Sequence, residues 1–159
     1  MPETEIQVRD AIDADLEEAE RTAAQAFASL RNTYHPRPEA LNRADGFQPS
    51  LSRIVALAGG RMVGTAGFRD RAGFLSIIGL GVIPPFRGRG VARRMVEALM
   101  ERAREAGASG LALYVIKETG NCDIFEKLGF RTVREESARD FESDVYETLT
   151  EVRMEIPIR

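Results

Sequence analysis

Arg87-Gly88-Arg89-Gly90-Val91-Ala92 is the stretch of this chain whose residue types and spacing point most directly to chemistry. Gly88, Gly90 and Ala92 leave the backbone uncovered, so an anion can approach the peptide amides, and Arg87, Arg89 and Arg93 gather positive charge around them. The turn follows an apolar run, Phe74–Val82, and opens an amphipathic one, residues 91–106. Strand, glycine-bearing turn and helix together aim free amides and the positive end of a helix dipole at one place, which suits a phosphate or pyrophosphate. A nucleotide-triphosphate loop would need a Gly-Lys-Ser/Thr ending, and a dinucleotide fingerprint would need Gly-x-Gly-x-x-Gly; neither pattern is present.

Other reactive types are sparse. One cysteine, Cys122, and one histidine, His35, cannot build a Cys/His zinc site, and no disulfide framework exists within the chain. Cys122 has no histidine in its segment to activate it, so it reads as a structural thiol rather than an acylated nucleophile. Glu118 follows an apolar run and is a carboxylate candidate for proton abstraction; a solvated loop acid is the commoner case. Arg31, Tyr34, His35 and Arg37 favour an acidic partner, whereas Asp140, Glu142 and Asp144 favour a basic one. The two clusters point in opposite directions.

The 159 residues are 43% hydrophobic and 30% charged, the make-up of one ordinary domain with a genuine core. A net charge of −3 argues against nucleic acid and an anionic membrane as partners. Residues 1–10 carry Glu3, Glu5 and Asp10 and no apolar core, unlike a signal or transit peptide, and no run is long enough to span a membrane. Single-cysteine usage fits a reducing cytosol, so a cytoplasmic location is expected.

The elements that must hold the turn follow from periodicity. Ile6 to Arg9 alternates as a strand, and from Asp13, a plausible cap, Leu16, Ala19, Ala23, Ala26, Phe27 and Leu30 recur at helical spacing. Residues 32–50, with Pro36, Pro38, Gly46 and Pro49, form a loop-rich insert. Residues 54–57 and 62–68 flank Gly59-Gly60 as a hairpin. The run Phe74–Val82 reads as a central strand, with Gly79 and Gly81 marking a bulge or a close approach. Met95, Val96, Leu99, Met100, Ala103 and Ala106 line one face of a helix that stops at Gly107. A strand at 111–116, a short helix at 121–128 and strands at 130–135 and 148–156 complete the order.

Taken as one segment, Val82-Ile83-Pro84-Pro85-Phe86-Arg87-Gly88-Arg89-Gly90-Val91-Ala92 strongly resembles the signature of the GNAT superfamily of acyl-CoA-dependent N-acyltransferases. Asn121 with Phe125-Glu126-Lys127-Leu128-Gly129-Phe130 is similar to a second element of that family. The resemblance covers residues 54–130 well and the ends by order of elements. It implies an α/β (α+β) GNAT-like fold: one domain over residues 1–159, with a mixed, strongly twisted sheet of about six to seven strands flanked by about four helices. It further implies acetyl-CoA as co-substrate without a metal, and direct transfer to a primary amine of a small molecule or peptide. The fold it resembles often pairs into homodimers.

On the same resemblance, Leu80, Gly81 and Val82 meet the pantetheine arm along the strand. Arg87, Gly88, Arg89, Gly90, Val91, Ala92 and Arg93 hold the pyrophosphate, while Asn121 and Phe125 contact the arm from the other side. The Leu80 backbone N–H takes the oxyanion role, Glu118 is the general-base candidate, and Tyr34 and His35 belong to the acceptor side. The chain departs from the family where a tyrosine often protonates the leaving thiolate: Phe125 stands there. No acid sits in Phe74–Val82, where many relatives place a base. A catalytically weak acyl-CoA-binding regulatory module is therefore the alternative to an active enzyme.

Overall fold

The structure is a computed structural model that describes residues 5–38 and 51–158. Its strands are β1 (Ile6–Asp10), β2 (His35–Pro36), β3 (Ser52–Ala58), β4 (Arg61–Arg71), β5 (Phe74–Val82), β6 (Gly110–Ile116), β7 (Arg131–Ser137), β8 (Phe141–Glu142) and β9 (Thr150–Pro157). The α-helices are α1 (Leu16–Phe27), α2 (Val91–Glu105) and α3 (Cys122–Lys127), accompanied by short 3-10 turns. Seven strands form one mixed sheet in the order β1-β3-β4-β5-β6-β9-β7, and β2 pairs with β8 as a separate ribbon. The greater part of the expected loop insert, residues 39–50, lies outside the described residues.

Around β3 both faces of the sheet are covered, and strand alternation says by what. In β3, Ile54, Ala56 and Ala58 join a large cluster with Met95, Val96 and Leu99 of α2. Their neighbour Val55 turns to the other face and packs with Ala19 of α1 and Met62. α2 is positioned by the stripe Val91, Met95, Val96, Leu99 and Ala103, all buried, and it ends at Ala106 with Gly107 at φ +71°. The acid engaged at the start of α1 is Asp15 rather than Asp13. Its carboxylate accepts from the Ile12 N–H at 2.8 Å and from Arg9 at 2.7 and 3.0 Å. Asp13 opens the 3-10 turn Asp13–Asp15, and it is Asp15, at the end of that turn, that reaches back to the Ile12 amide.

Two irregularities of β5 shape the molecule. Its register with β4 passes from Gly67↔Ile78 to Ala66↔Leu80, so Gly79 is the extra residue of a bulge, and its φ of +76° is one glycine adopts at no steric cost. On the opposite side β5 runs parallel to β6 but pairs with it only at Leu75↔Leu111 and Ser76↔Ala112. Beyond Ser76 the strands part, and the sheet splits into a wedge. The last turn of α1 closes down on this wedge: a Cβ at Gly81 would lie 2.7 Å from the Ala26 Cβ and 2.8 Å from the Phe27 ring. Gly81 is thus demanded by helix packing and Gly79 by backbone conformation.

Candidate active site

The turn expected to hold an anion opens a cavity of about 640 Å³, bounded by Val82, Arg87, Gly88 and Gly90 to Arg93, the end of α1, and Asn121, Ile124, Phe125 and Leu128 around α3. Gly88 and Gly90 have φ of +76° and +82°, and nothing lies within 4 Å of where a Cβ would stand at either. Their peptide groups therefore face open space. Gly90 is also the residue before α2, and the first amides of a helix have no partner within it, so the N–H groups here are available to an anion.

The arginines of the turn divide their work. Arg87 is not a free cation: its Nε donates to the Val82 carbonyl at 3.1 Å and its Nη2 to the Ala26 carbonyl at 2.8 Å. It ties the end of β5 to one of the last carbonyls of α1, which have no acceptor role left inside that helix. Arg93 donates to the Lys127 carbonyl at 3.0 Å and so fastens α2 to the C-terminal end of α3. Arg89 stacks over the Phe86 ring at 5.1 Å, and Arg61 from β4 stacks over the same ring at 5.6 Å. Arg61 was not among the residues singled out from the sequence, because only the fold brings β4 beside the turn.

A second cavity of about 450 Å³ lies in the wedge between β5 and β6. Phe27, Leu30, Leu80, Thr119, Asn121 and Phe125 line both cavities, so the two meet at Leu80. Gly81 and Val82 line the first only. Phe125 packs edge-on against Phe130, with centroids 5.8 Å apart, and reaches both spaces. Asn121 also borders both, and it is the residue that precedes α3; no side-chain capping bond forms there.

Three sequence expectations change in this setting, and Cys122 keeps its reading as a structural thiol. Glu118 lines neither cavity: its carboxylate accepts from the Thr150 N–H at 2.6 Å and anchors the start of β9, a bond that competes with proton abstraction. Cys122 is half-buried, and burial together with Glu126, Glu135 and Asp123 pushes its thiol up, keeping it protonated and unreactive. The opposed charge clusters turn out to be partners. Pairing of β2 with β8 sets Arg37 against Glu142 at 3.3 Å and His35 against Glu142 and Asp144 at 3.7 and 3.6 Å. His35 is absent from the lining of both cavities.

Tyr34 does border the second cavity. It is buried, lies edge-on to Phe141 with centroids 5.1 Å apart, carries Arg31 over its ring, and burial holds its hydroxyl above the usual tyrosine range. Glu151, Asp140 and Arg71 share that cavity, and sequence reasoning passed over Glu151 and Arg71. The signal for Glu151 was present: buried Val152 and Met154 alternate with half-buried Glu151, Arg153 and Glu155, which places a carboxylate on the face opposite the core. Among the described residues, no group of three or more His, Cys, Asp or Glu is arranged to hold a metal ion.

A splayed mixed sheet with an anion-ready turn at the split is the frame of an acyl-group transferase. The sequence model of the acetyltransferase (GNAT) family matches residues 14–130, and the chain belongs to that family. None of the curated proteins matches the chain. Among solved structures it is similar to the ribosomal-protein-S18-alanine N-acetyltransferase from Escherichia coli, at 17% identity and TM-score 0.73 over 97% of this chain and 94% of that one. A GCN5-related N-acetyltransferase from Kribbella flavida is 23% identical, with TM-score 0.72 over 96% and 98% of the two chains. The protein yncA of Salmonella typhimurium, solved with its cofactor acetyl-CoA, is 16% identical, with TM-score 0.72 over 98% and 95%. Identities this low establish the shared fold.

Proposed function

We propose that this acetyltransferase takes its acyl group from acetyl-CoA and passes it to a primary amine of a small molecule or peptide by direct attack in a ternary complex. The observation that carries this reading is the meeting of the two cavities at Leu80. Donor and acceptor enter from opposite sides of one strand position, which is the placement a direct reaction needs. The pyrophosphate is assigned to the amides of the Gly88–Gly90 turn and of Val91 and Ala92, with Arg89 as the nearby cation. Arg87 and Arg93 shape the site through backbone carbonyls. The pantetheine arm is assigned to Leu80, Gly81 and Val82, with Asn121 and Phe125 on the opposite wall.

In the reaction the amine nitrogen attacks the thioester carbonyl carbon, and negative charge grows on the carbonyl oxygen. The Leu80 N–H is assigned to that oxygen, at the bulge where β5 has left β6. Collapse of the tetrahedral species breaks the C–S bond and releases coenzyme A. The reading includes a cytoplasmic location, a homodimer, and neither nucleic acid nor membrane as partner. No helix among the described residues is long and apolar enough to cross a membrane.

Thiol release from acetyl-CoA across a panel of amines, amino acids and peptides tests the assignment, together with thermal shift by coenzyme A and by ATP. Stabilisation by ATP and not by coenzyme A would overturn it. One observation favours a second reading, a catalytically weak acyl-CoA-binding module. Phe125 has no proton for the departing thiolate. Stabilisation by coenzyme A with no turnover on any acceptor would select that module.

A further inference from the structure

Glu151 stands on the floor of the acceptor-side cavity, and nothing described so far uses it. Its place follows from strand pairing. Leu111, Leu113 and Val115 of β6 share the main core with Val152 and Met154 of β9. The alternate residues of both strands therefore face the other way, into the wedge. Ile116 pairs with Glu151, and Ile116 packs with Tyr34 and Leu149 on that second face. Glu151 thus emerges beside Tyr34, in the cavity whose far end is Leu80.

Such a position is costly for a carboxylate unless it is used. Glu151 is half-buried, and among the described residues its carboxylate has no hydrogen-bond or ion-pair partner. Glu136 of β7 lies directly across the ladder from it, a like-charge pairing that weakens a sheet. Asp140, from the connection after β7, adds a further negative charge, and Arg134 of β7 offsets part of it. Arg71 of β4 and Tyr34 face the same cavity. Burial first, then Glu136 and Asp140, raise the proton affinity of Glu151, the direction that favours a proton acceptor.

We propose that Glu151 is the proton acceptor for the acceptor amine: its carboxylate binds the incoming ammonium group and removes one proton before attack on the thioester. This rests on the acetyl-transfer reading above. The ammonium R–NH3+ gives one proton to Glu151 and becomes R–NH2. The freed electron pair forms the C–N bond, and the C–S electrons leave with sulfur. The second nitrogen proton, shed as the intermediate collapses, ends on that sulfur to give the thiol. Glu151 then returns its proton to solvent, so the products are the amide, coenzyme A thiol and one H+.

The test compares the wild-type protein with Glu151→Gln, using acetyl-CoA with benzylamine, agmatine, the dipeptide Ala-Gly, and hydroxylamine. Hydroxylamine is already unprotonated near neutral pH and needs no base. On the amines that wild type acetylates, Glu151→Gln is expected to lose roughly 10²–10⁴-fold in kcat/KM, while transfer to hydroxylamine and coenzyme A binding stay within a few-fold of wild type. The ascending limb of the wild-type pH profile should be absent from the variant. Folding is not at risk. A raised carboxyl pKa stabilises the fold below the unfolded value and that contribution is lost as pH rises through the folded one, so Glu151→Gln should melt no lower than wild type at pH 7. Full retention of amine transfer, or equal loss on amines and hydroxylamine, overturns the assignment of Glu151 alone. No turnover by wild type on any amine overturns the acetyl-transfer reading beneath it.

Discussion

Gly81→Ala tests the contact between α1 and β5 directly. Gly81 pairs with Thr65 in the β4–β5 ladder and has no positive φ, so alanine brings no backbone penalty. The new methyl would stand 2.7 Å from the Ala26 Cβ and 2.8 and 2.9 Å from two atoms of the Phe27 ring, against 3.4–4 Å for ordinary contact. The end of α1 must retreat by about 1 Å, and overpacking of this kind costs about 1–3 kcal/mol. For a domain of this size each kcal/mol lowers the melting temperature by about 2–4 °C, so a fall of about 2–12 °C is expected in calorimetry. Phe27 lines both cavities, so the shift also misplaces the acceptor wall, and a displacement of about 1 Å can cost ~10²-fold in transfer. Coenzyme A affinity should fall as well in titration calorimetry, since Ala26, Phe27 and Gly81 all line the first cavity. Because the ring supplies two of the three close contacts, Phe27→Leu should recover much of the loss in the double variant. An unchanged melting temperature for Gly81→Ala would refute the idea that α1 is wedged against this glycine.

Gly90→Phe has room for its ring but not for its backbone, since φ is +82°; about 1–2 kcal/mol of destabilisation is expected, with loss of coenzyme A binding as the ring covers the amides. Wild-type affinity in that variant would detach the phosphate from the turn. Cys122→Ala should leave transfer intact, and its loss would mean a covalent intermediate. Asp15 is held down to about 2 from 3.8, chiefly by the Arg9 hydrogen bonds and then by the Ile12 amide. Its depressed value gives stability that is present above pH 4 and disappears as pH falls toward 2. Asp15→Asn should therefore melt lower than wild type at pH 6 and converge with it near pH 2; parallel melting curves across that range would show that the carboxylate is not held in this way.

The parts of this fold that could be read from the chain are those decided by near neighbours. Gly59-Gly60, the alternation of β3 and β4, the stripe of α2 and the glycines at 88 and 90 each state a local conformation, and each element formed where expected within a residue or two at its ends, except that β4 runs three residues further, to Arg71. What escaped depends on partners far along the chain. Arg87 reads as a phosphate ligand until Ala26, 61 positions away, is seen to accept from it. Tyr34 to Arg37 and Asp140 to Asp144 read as rival acceptor sites because nothing local says that His35 pairs with Glu142 across a ladder. Glu118 looked available because its consumer, the Thr150 amide, belongs to another strand. Gly79 and Gly81 were recognised as special together, but only the packed helix separates a residue needed for its φ from one needed for its missing Cβ.

The short parallel ladder between β5 and β6 has a mechanical meaning. Joined only at Leu75↔Leu111 and Ser76↔Ala112, the sheet behaves as two plates riveted at one end. The first plate, β1-β3-β4-β5, leads directly into the Gly88–Gly90 turn; the second, β6-β9-β7, brings Glu151 and Ile116. The anion-ready turn and Glu151 are therefore carried on separate plates, and β4 and β5 also reach the second cavity through Arg71 and Ile77 to Leu80. Substitutions along β6, β9 and β7 can reshape the second cavity without touching the amides of the turn, so the two ends of the site are free to change separately.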